Sequence, residues 1–300
     1  MFEQLGLIGC GLMGGSFALA LKKAGLVKRV VGYSKSPTTT ARALQMGVID
    51  VEAPSALLAA AGADIVLLAV PVGATEATLK SIKHLVTPEM LIMDVGSTKT
   101  DVVQAARDAL GSRISSFVPA HPNTGKEVAG VAHADEYLYR GAKVILTPTE
   151  RTLTSHLHKA EALWKALGCD VRIMSPETHD AAFAAISHLP HMLAFAMMQS
   201  VMRQDQADAF LGLAGPGFRD FTRIAASEPK MWRDILLANK TEVLAQAQHF
   251  KQAVQAFEQV LQTNDAQALE DMITLASEAR TQCRFNPPTT ANAAPPPACA

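Results

Sequence analysis

The chain has 300 residues, of which 49% are hydrophobic, and a mean hydropathy of +0.14, enough apolar material for the cores of about two domains and too much for a chain that stays unfolded. Its 27 basic residues against 28 acidic ones leave a net charge of -1, so no global positive field exists to hold a nucleic acid or an acidic lipid surface. Cys10, Cys169, Cys283 and Cys299 lie scattered without a CxxC pair, which fits reduced thiols in a cytoplasmic protein and not a disulfide frame or a zinc ribbon.

The opening segment MFEQLGLIGCG lacks a basic leading region, carries Glu3 and runs into glycines, so it is not expected to act as a secretory signal. The apolar stretches Ile65–Val72 and Met192–Met198 fall short of the ~20 residues that cross a bilayer, and no membrane partner is expected. Through residues 1–174, short β-type runs alternate with Ala/Leu-rich helical stretches; the runs are QLGLIG, RVVGY, ADIVLLAV, MLIMDV, ISSFVPA, AKVILT and CDVRIM. This alternation predicts an α/β domain, a mostly parallel sheet covered by helices on both faces.

The first run ends in Gly9-Cys10-Gly11-Leu12-Met13-Gly14, a GxGxxG pattern between a strand and a helix. Gly9 suits the tight turn, Gly11 the close approach of a pyrophosphate, and Gly14 the packing of helix on strand, while Leu12 and Met13 open the helix whose amides face the phosphates. The domain is therefore expected to be of Rossmann type and to bind a nicotinamide dinucleotide. Ser34 stands about 20 residues beyond the turn, where an acidic residue would bind a ribose 2′-hydroxyl. Lys35 and Arg42 follow it, and no Asp or Glu occurs between Gln4 and Ile49. The expected cofactor is NADP, with NAD as the alternative.

Asp94-Val95-Gly96-Ser97-Thr98-Lys99-Thr100 closes a strand and starts a helix, which places Ser97 at the carboxyl edge of the sheet, either facing the nicotinamide or capping the helix. His121 follows ISSFVPA at the same edge, a loop histidine that is a candidate general base or a partner of loop backbone. Beyond SPETHD at residues 175–180 no strand is expected. Over Trp232–Leu261, Leu236, Val243, Phe250 and Phe257 recur every seven residues, as on one helical stripe. Residues 175–284 are predicted to form an all-helical domain with more apolar surface than about 110 residues bury alone, and hence a homodimer. The Pro/Ala-rich tail 285–300 is expected to be disordered. His179, His188 and His191 lack acidic or cysteine ligands at diagnostic spacing, so no metal is expected. His156 and His158 are expected at the surface.

In these motifs the chain resembles the prephenate/arogenate (cyclohexadienyl) dehydrogenase family of tyrosine biosynthesis. The resemblance covers roughly residues 4–282 through GLIGCGLMGGS, DVGSTK, HPNTGKEVAG, SPETHD, SHLPH and FRDFTRIAASEPKMWRDI, in the family's order. It implies oxidative decarboxylation of a small-molecule substrate, prephenate or arogenate, with hydride transfer to the nicotinamide, in a dimer paired through helical domains. It also implies roles: His121 as catalytic base oriented by Ser97, His191 and Arg223 as substrate ligands, and Trp232 as a residue that approaches the partner subunit's site. Asn123, Thr124 and Lys126 depart from the family's loop, which carries small apolar residues and then Ser or Thr. Lys126 is thus expected to line the substrate pocket and to favour the keto acid of prephenate over the ammonium of arogenate. A β-hydroxyacid dehydrogenase or imine reductase would leave the HP loop and the TRIA segment unexplained, and a non-catalytic NADP sensor would be expected to lack site residues that are all present here.

Overall fold

The computed structural model describes residues 1–126 and 128–283, so the tail expected to be disordered lies outside the described residues. The first part of the chain builds β1 (Phe2–Ile8), α1 (Leu12–Lys23), β2 (Val27–Tyr33), α2 (Pro37–Gln45), β3 (Val51–Glu52), α3 (Ala56–Ala60), β4 (Ile65–Leu68), α4 (Thr75–Ile82), β5 (Leu91–Asp94), α5 (Thr100–Leu110) and β6 (Phe117–Val118). Its strands form one parallel sheet in the order β3-β2-β1-β4-β5-β6, the Rossmann order expected from the glycine motif. Successive residues of a strand point to opposite faces, which is why these strands read as unbroken apolar runs. Leu5, Leu7, Ile65, Leu67, Leu91 and Met93 pack on one side with Phe17, Tyr139 and Trp164. Ile8, Val66, Leu68 and Ile92 pack on the other with Ala59, Leu79 and Val102. Strand order reverses between β1 and β4, leaving a crevice at their carboxyl ends.

The expectation of a single sheet needs correcting. A second sheet follows, made of β7 (Ala120–Asn123), β8 (Lys143–Leu146) and, after α6 (Thr154–Ala166), β9 (Asp170–Ile173), with β7 antiparallel to β8 and β8 parallel to β9. Pro119 divides ISSFVPA between the sheets, because it has no N–H for a ladder; its carbonyl accepts from Thr147 N at 3.0 Å. His121 therefore sits in a strand, opposite Ile145, and not in a loop.

Among the described residues strands end at Ile173. There follow α7 (Pro176–Phe183), a widened π-type turn (Ala184–His188), α8 (Leu189–Met202), α9 (Ala207–Gly212), α10 (Pro216–Thr222), a 3-10 turn (Arg223–Ala226), α11 (Pro229–Ala238), α12 (Lys240–Thr263) and α13 (Ala266–Gln282). Pro190 cannot donate to the carbonyl four residues back and its ring would crowd it; the wider turn takes up this misfit without breaking the helix. The 27-residue run Pro176–Met202, with a hydropathy of 1.4, is consequently long and apolar enough by length and composition to cross a membrane, which the shorter stretch Met192–Met198 is not. The Trp232–Leu261 stripe is also broken. Asn239 interrupts it between α11 and α12, and beyond that point Val243 is buried while Phe250 is 40% exposed.

The chain divides into two compact units, Met1–Val243 and the remainder from Leu244. Compactness thus groups α7–α11 with the strands, although secondary structure changes at the expected place near residue 174. In the second unit Asp265 caps α13 by accepting from Ala268 N at 3.0 Å, and Leu244, Leu261 and Leu275 are exposed.

Candidate active site

The glycine loop forms a cradle for a diphosphate. At Gly9, with φ of +103°, a Cβ would lie 2.1 Å from the Ala69 carbonyl oxygen; at Gly14 it would lie 2.1 Å from that of Gly9. Gly11 caps α1, and nothing stands within 4 Å of where its Cβ would be. That open space, beside unsatisfied first-turn amides, is the room a pyrophosphate needs. Leu12 and Met13 pack inward on the core, and Tyr139 Oη donates to the Met13 carbonyl at 2.7 Å, so these two residues hold the helix in place. Ser34 Oγ accepts from Cys10 N at 2.8 Å, tying the end of β2 to the glycine loop, while Lys35 is exposed beside it. Arg42 instead donates to Gln45 at 2.5 Å. Burial pushes the Cys10 thiol up to about 11, with Glu52 at the end of β3 adding to the rise, so an acidic charge does reach this loop from outside the Gln4–Ile49 window.

At the carboxyl end of β5, Asp94 accepts from Ala120 N at 2.9 Å and from Gly96 N at 2.8 Å, and pairs with the fully buried Lys99. Lys99 Nζ also donates to the Ala120 carbonyl at 3.0 Å. This buried ion pair fastens the Ser97 loop to β7 one residue before His121. The His121 ring packs 4.5 Å from Phe183, and its Nδ1 lies 2.8 Å from His179 Nε2. His179 stacks on the same Phe183 at 4.4 Å, and its Nδ1 lies 2.7 Å from Asp180 Oδ1. The Asp180 carboxylate is held further by the backbone N–H groups of Lys99 at 2.9 Å and Thr100 at 2.8 Å. The partner of His121 Nδ1 is thus His179, while Ser97, expected to help orient His121, stands half-buried in the β5–α5 loop.

These contacts set the charges. Burial, followed by the neighbouring His179 and Lys99, holds His121 well below the usual histidine range, so it is neutral near pH 7. Burial likewise lowers His179, with Asp180 opposing. Burial pushes the Asp180 carboxyl up, but hydrogen bonds from His179, Thr100 and Lys99 outweigh this and keep it below its ordinary value, hence ionised. Asn239 Nδ2 donates to the Asp180 carbonyl at 2.7 Å and contacts His188 Nδ1 at 3.0 Å. His188, lowered to about 4 chiefly by burial, therefore carries its proton on Nε2, toward the Ser97 backbone.

His191 stacks on Trp232 with ring centroids 3.5 Å apart and an interplanar angle of 19°, so Trp232 braces a site residue of its own chain. The Nδ1–H of His191 donates to the Ser187 carbonyl at 2.9 Å, leaving Nε2 as the outward atom. Burial lowers its pKa, the Ser187 carbonyl opposes this, and the guanidinium of Arg223, an exposed residue at the start of the 3-10 turn, lowers it further. His156 is corrected to a buried residue, 1% exposed, with Nε2 at 2.7 Å from the Pro88 carbonyl. No group of three metal-ligating side chains occurs among the described residues.

Lys126 is drawn elsewhere. Its ammonium pairs with Asp135 at 3.0 Å and donates to the His133 carbonyl at 3.2 Å, so its charge is spent on a surface loop. The expected role in discriminating prephenate from arogenate loses its physical basis. Lys126→Thr is expected to leave the ratio of kcat/KM for the two substrates unchanged; a shift of about tenfold would restore the original assignment.

Residues 17–173 match the family model described as prephenate dehydrogenase, nucleotide-binding domain, and residues 175–275 the one described as prephenate dehydrogenase, dimerization domain. The chain is 38% identical over 271 residues to a prephenate dehydrogenase of Bacillus subtilis, covering 90% of this chain and 73% of that one. It is 31% identical to a cyclohexadienyl dehydrogenase of Zymomonas mobilis, covering 93% and 96%. A solved prephenate dehydrogenase of Aquifex aeolicus, in complex with hydroxyphenyl propionate and NAD+, superposes with a TM-score of 0.87 at 34% identity, covering 94% of this chain and 98% of that one.

Proposed function

The chain belongs to the prephenate dehydrogenase family, and we propose that it oxidatively decarboxylates prephenate to 4-hydroxyphenylpyruvate in tyrosine biosynthesis, with arogenate as a second substrate giving tyrosine. The observation that carries the mechanism is a buried, neutral histidine, His121, anchored through Nδ1 at the carboxyl edge of a dinucleotide-binding sheet. A nicotinamide bound there would supply the hydride acceptor. Gly9, Gly11 and Gly14 would hold its pyrophosphate. His121 accepts the ring hydroxyl proton as hydride leaves the same carbon. The ketone that develops makes loss of the ring carboxylate as CO2 easy, and aromaticity drives the step, so the protein needs mainly to position and polarise. Ser97, in the β5–α5 loop, is assigned to face the substrate hydroxyl. His191 and Arg223 hold the polar ends of the substrate, with Trp232 fixing the His191 ring. Equimolar CO2 and reduced nicotinamide from prephenate test this reaction type.

Arg223 presents a planar fork suited to a substrate carboxylate. Arg223→Ala is expected to raise KM for prephenate by about 10- to 100-fold, the weight of a lost charge-assisted contact of ~1.5–3 kcal/mol, and Arg223→Lys to recover only part. An unchanged KM would remove the arginine from the site.

For the cofactor we infer a preference for NADP within the NAD(P) class, supported by Ser34 and the exposed Lys35 and opposed by Glu52. Comparison of kcat/KM is expected to favour NADP by about tenfold, and Lys35→Ala to erode that margin. An advantage for NAD would overturn it. Residues 175–284 are inferred to pair two copies into a homodimer, supported by the dimerization-domain match and by exposed Leu213 and Leu237. The scattered free thiols favour the cytoplasm, and no nucleic-acid or membrane partner is proposed.

A further inference from the structure

We propose that His179, anchored by Asp180, is a positioning residue that fixes His121 as the tautomer with its proton on Nδ1, so that Nε2 is the lone pair that takes the substrate's proton. The inference rests on the reading of His121 as base and extends it to two residues that do not touch the reacting atoms.

The chain of hydrogen bonds leaves one consistent assignment. The Asp180 carboxylate is ionised and only accepts; it receives the backbone N–H groups of Lys99 and Thr100 and must receive a third proton from His179 Nδ1, 2.7 Å away. Neutral His179 therefore has a bare Nε2. That atom lies 2.8 Å from His121 Nδ1, which must then carry the hydrogen. The opposite tautomer would set two lone pairs face to face with no water to relieve them, since His179 is 0% and His121 7% exposed. Phe183 packs against both rings and keeps them in register.

The same chain steadies the charged state. During turnover a proton passes from the substrate hydroxyl to His121 Nε2, while His121 keeps its Nδ1 proton and His179 keeps its own. The imidazolium so formed is faced by the ionised Asp180 through His179, and by the cation Lys99, itself paired to Asp94; His188 stands beyond them in the π-type turn. His179 transmits the anion's field without any further proton moving.

The test uses the full chain labelled with 15N-histidine. Two-bond 1H–15N correlation spectra should show His121, identified by the signal lost in His121→Asn, protonated on Nδ1 in the wild type and shifted toward Nε2 in His179→Phe. In steady-state assays with prephenate, His179→Phe should lower kcat by about 10²–10³-fold with the dinucleotide KM changed less than about twofold. His179→Gln, whose amide oxygen can accept from His121 Nδ1, should regain at least about tenfold of that loss. A wild-type His121 protonated on Nε2 would overturn the proposal, as would full kcat in both variants. If the wild type fails to turn over prephenate, the functional reading falls, while the tautomer measurement still decides the positioning role.

Discussion

His121→Asn is expected to lower kcat for prephenate by about 10²–10⁴-fold while the dinucleotide binds as before, because asparagine fills similar space and removes the only group here assigned to take the hydroxyl proton. Steady-state kinetics and a dinucleotide titration read the two quantities separately. The wild-type pH profile follows from the direction of the His121 shift. A base works when unprotonated, so activity is present above its pKa and is lost as pH falls through it. Burial, His179 and Lys99 place that pKa well below 6.5, so the acid limb should fall below the ordinary histidine range and the rate should not vary with His121 between pH 6.5 and 8. A loss of dinucleotide affinity equal to the loss of rate in His121→Asn would make the histidine structural.

The second large effect concerns stability. Lys99→Ala is expected to destabilise the fold by about 3–5 kcal/mol, because it strips the cation from Asp94 while leaving that carboxylate buried. Lys99 is 0% exposed and Asp94 2%, and between them they bond the Ala120 backbone on both its N–H and C=O sides. The double variant Asp94→Asn with Lys99→Met should recover part of the loss, since no unpaired buried charge remains. Urea unfolding midpoints of the wild type and the two variants measure this. A Lys99→Ala protein as stable as the wild type would mean that water or a rearranged side chain replaces the ammonium, and the pair would no longer explain how β7 is held to the Ser97 loop.

Much of the sheet was legible because its strands are buried on both faces. Strands such as Ile65–Leu68 and Leu91–Asp94 carry no inward-outward alternation to obscure them, and the glycine motif fixed where β1 ends. The two-residue strands Val51–Glu52 and Phe117–Val118 are too short to leave a periodic signal, and Pro119 concealed the boundary between two sheets. The seven-residue stripe suggested one helix through Trp232–Leu261. The side chain of Asn239 is instead pulled inward by Asp180 and His188, contacts 59 and 51 residues away in sequence that no local pattern announces.

The site divides in the same way. His121, His191, Arg223 and Trp232 belong to compact motifs and were singled out. The His121–His179 and Lys99–Asp180 contacts join residues 58 and 81 apart, and only the topology brings them together. A usable signal did exist. Asp94 follows Leu-Ile-Met in a core strand and Asp180 precedes Ala-Ala-Phe, and a charge carried into an apolar core requires a partner to be sought elsewhere in the chain. Lys126 shows the converse. The resemblance of its loop to the family's suggested a pocket residue, whereas the loop returns Asp135 to its ammonium and neutralises it.

The most direct measurement follows the absorbance of reduced nicotinamide when the purified protein is mixed with NADP or NAD and prephenate, arogenate or a simple β-hydroxy acid. Rapid reduction with prephenate is expected, with one CO2 released per nicotinamide reduced and no reaction with the β-hydroxy acid. Turnover of the β-hydroxy acid without CO2 release, and none of prephenate, would contradict the proposed function.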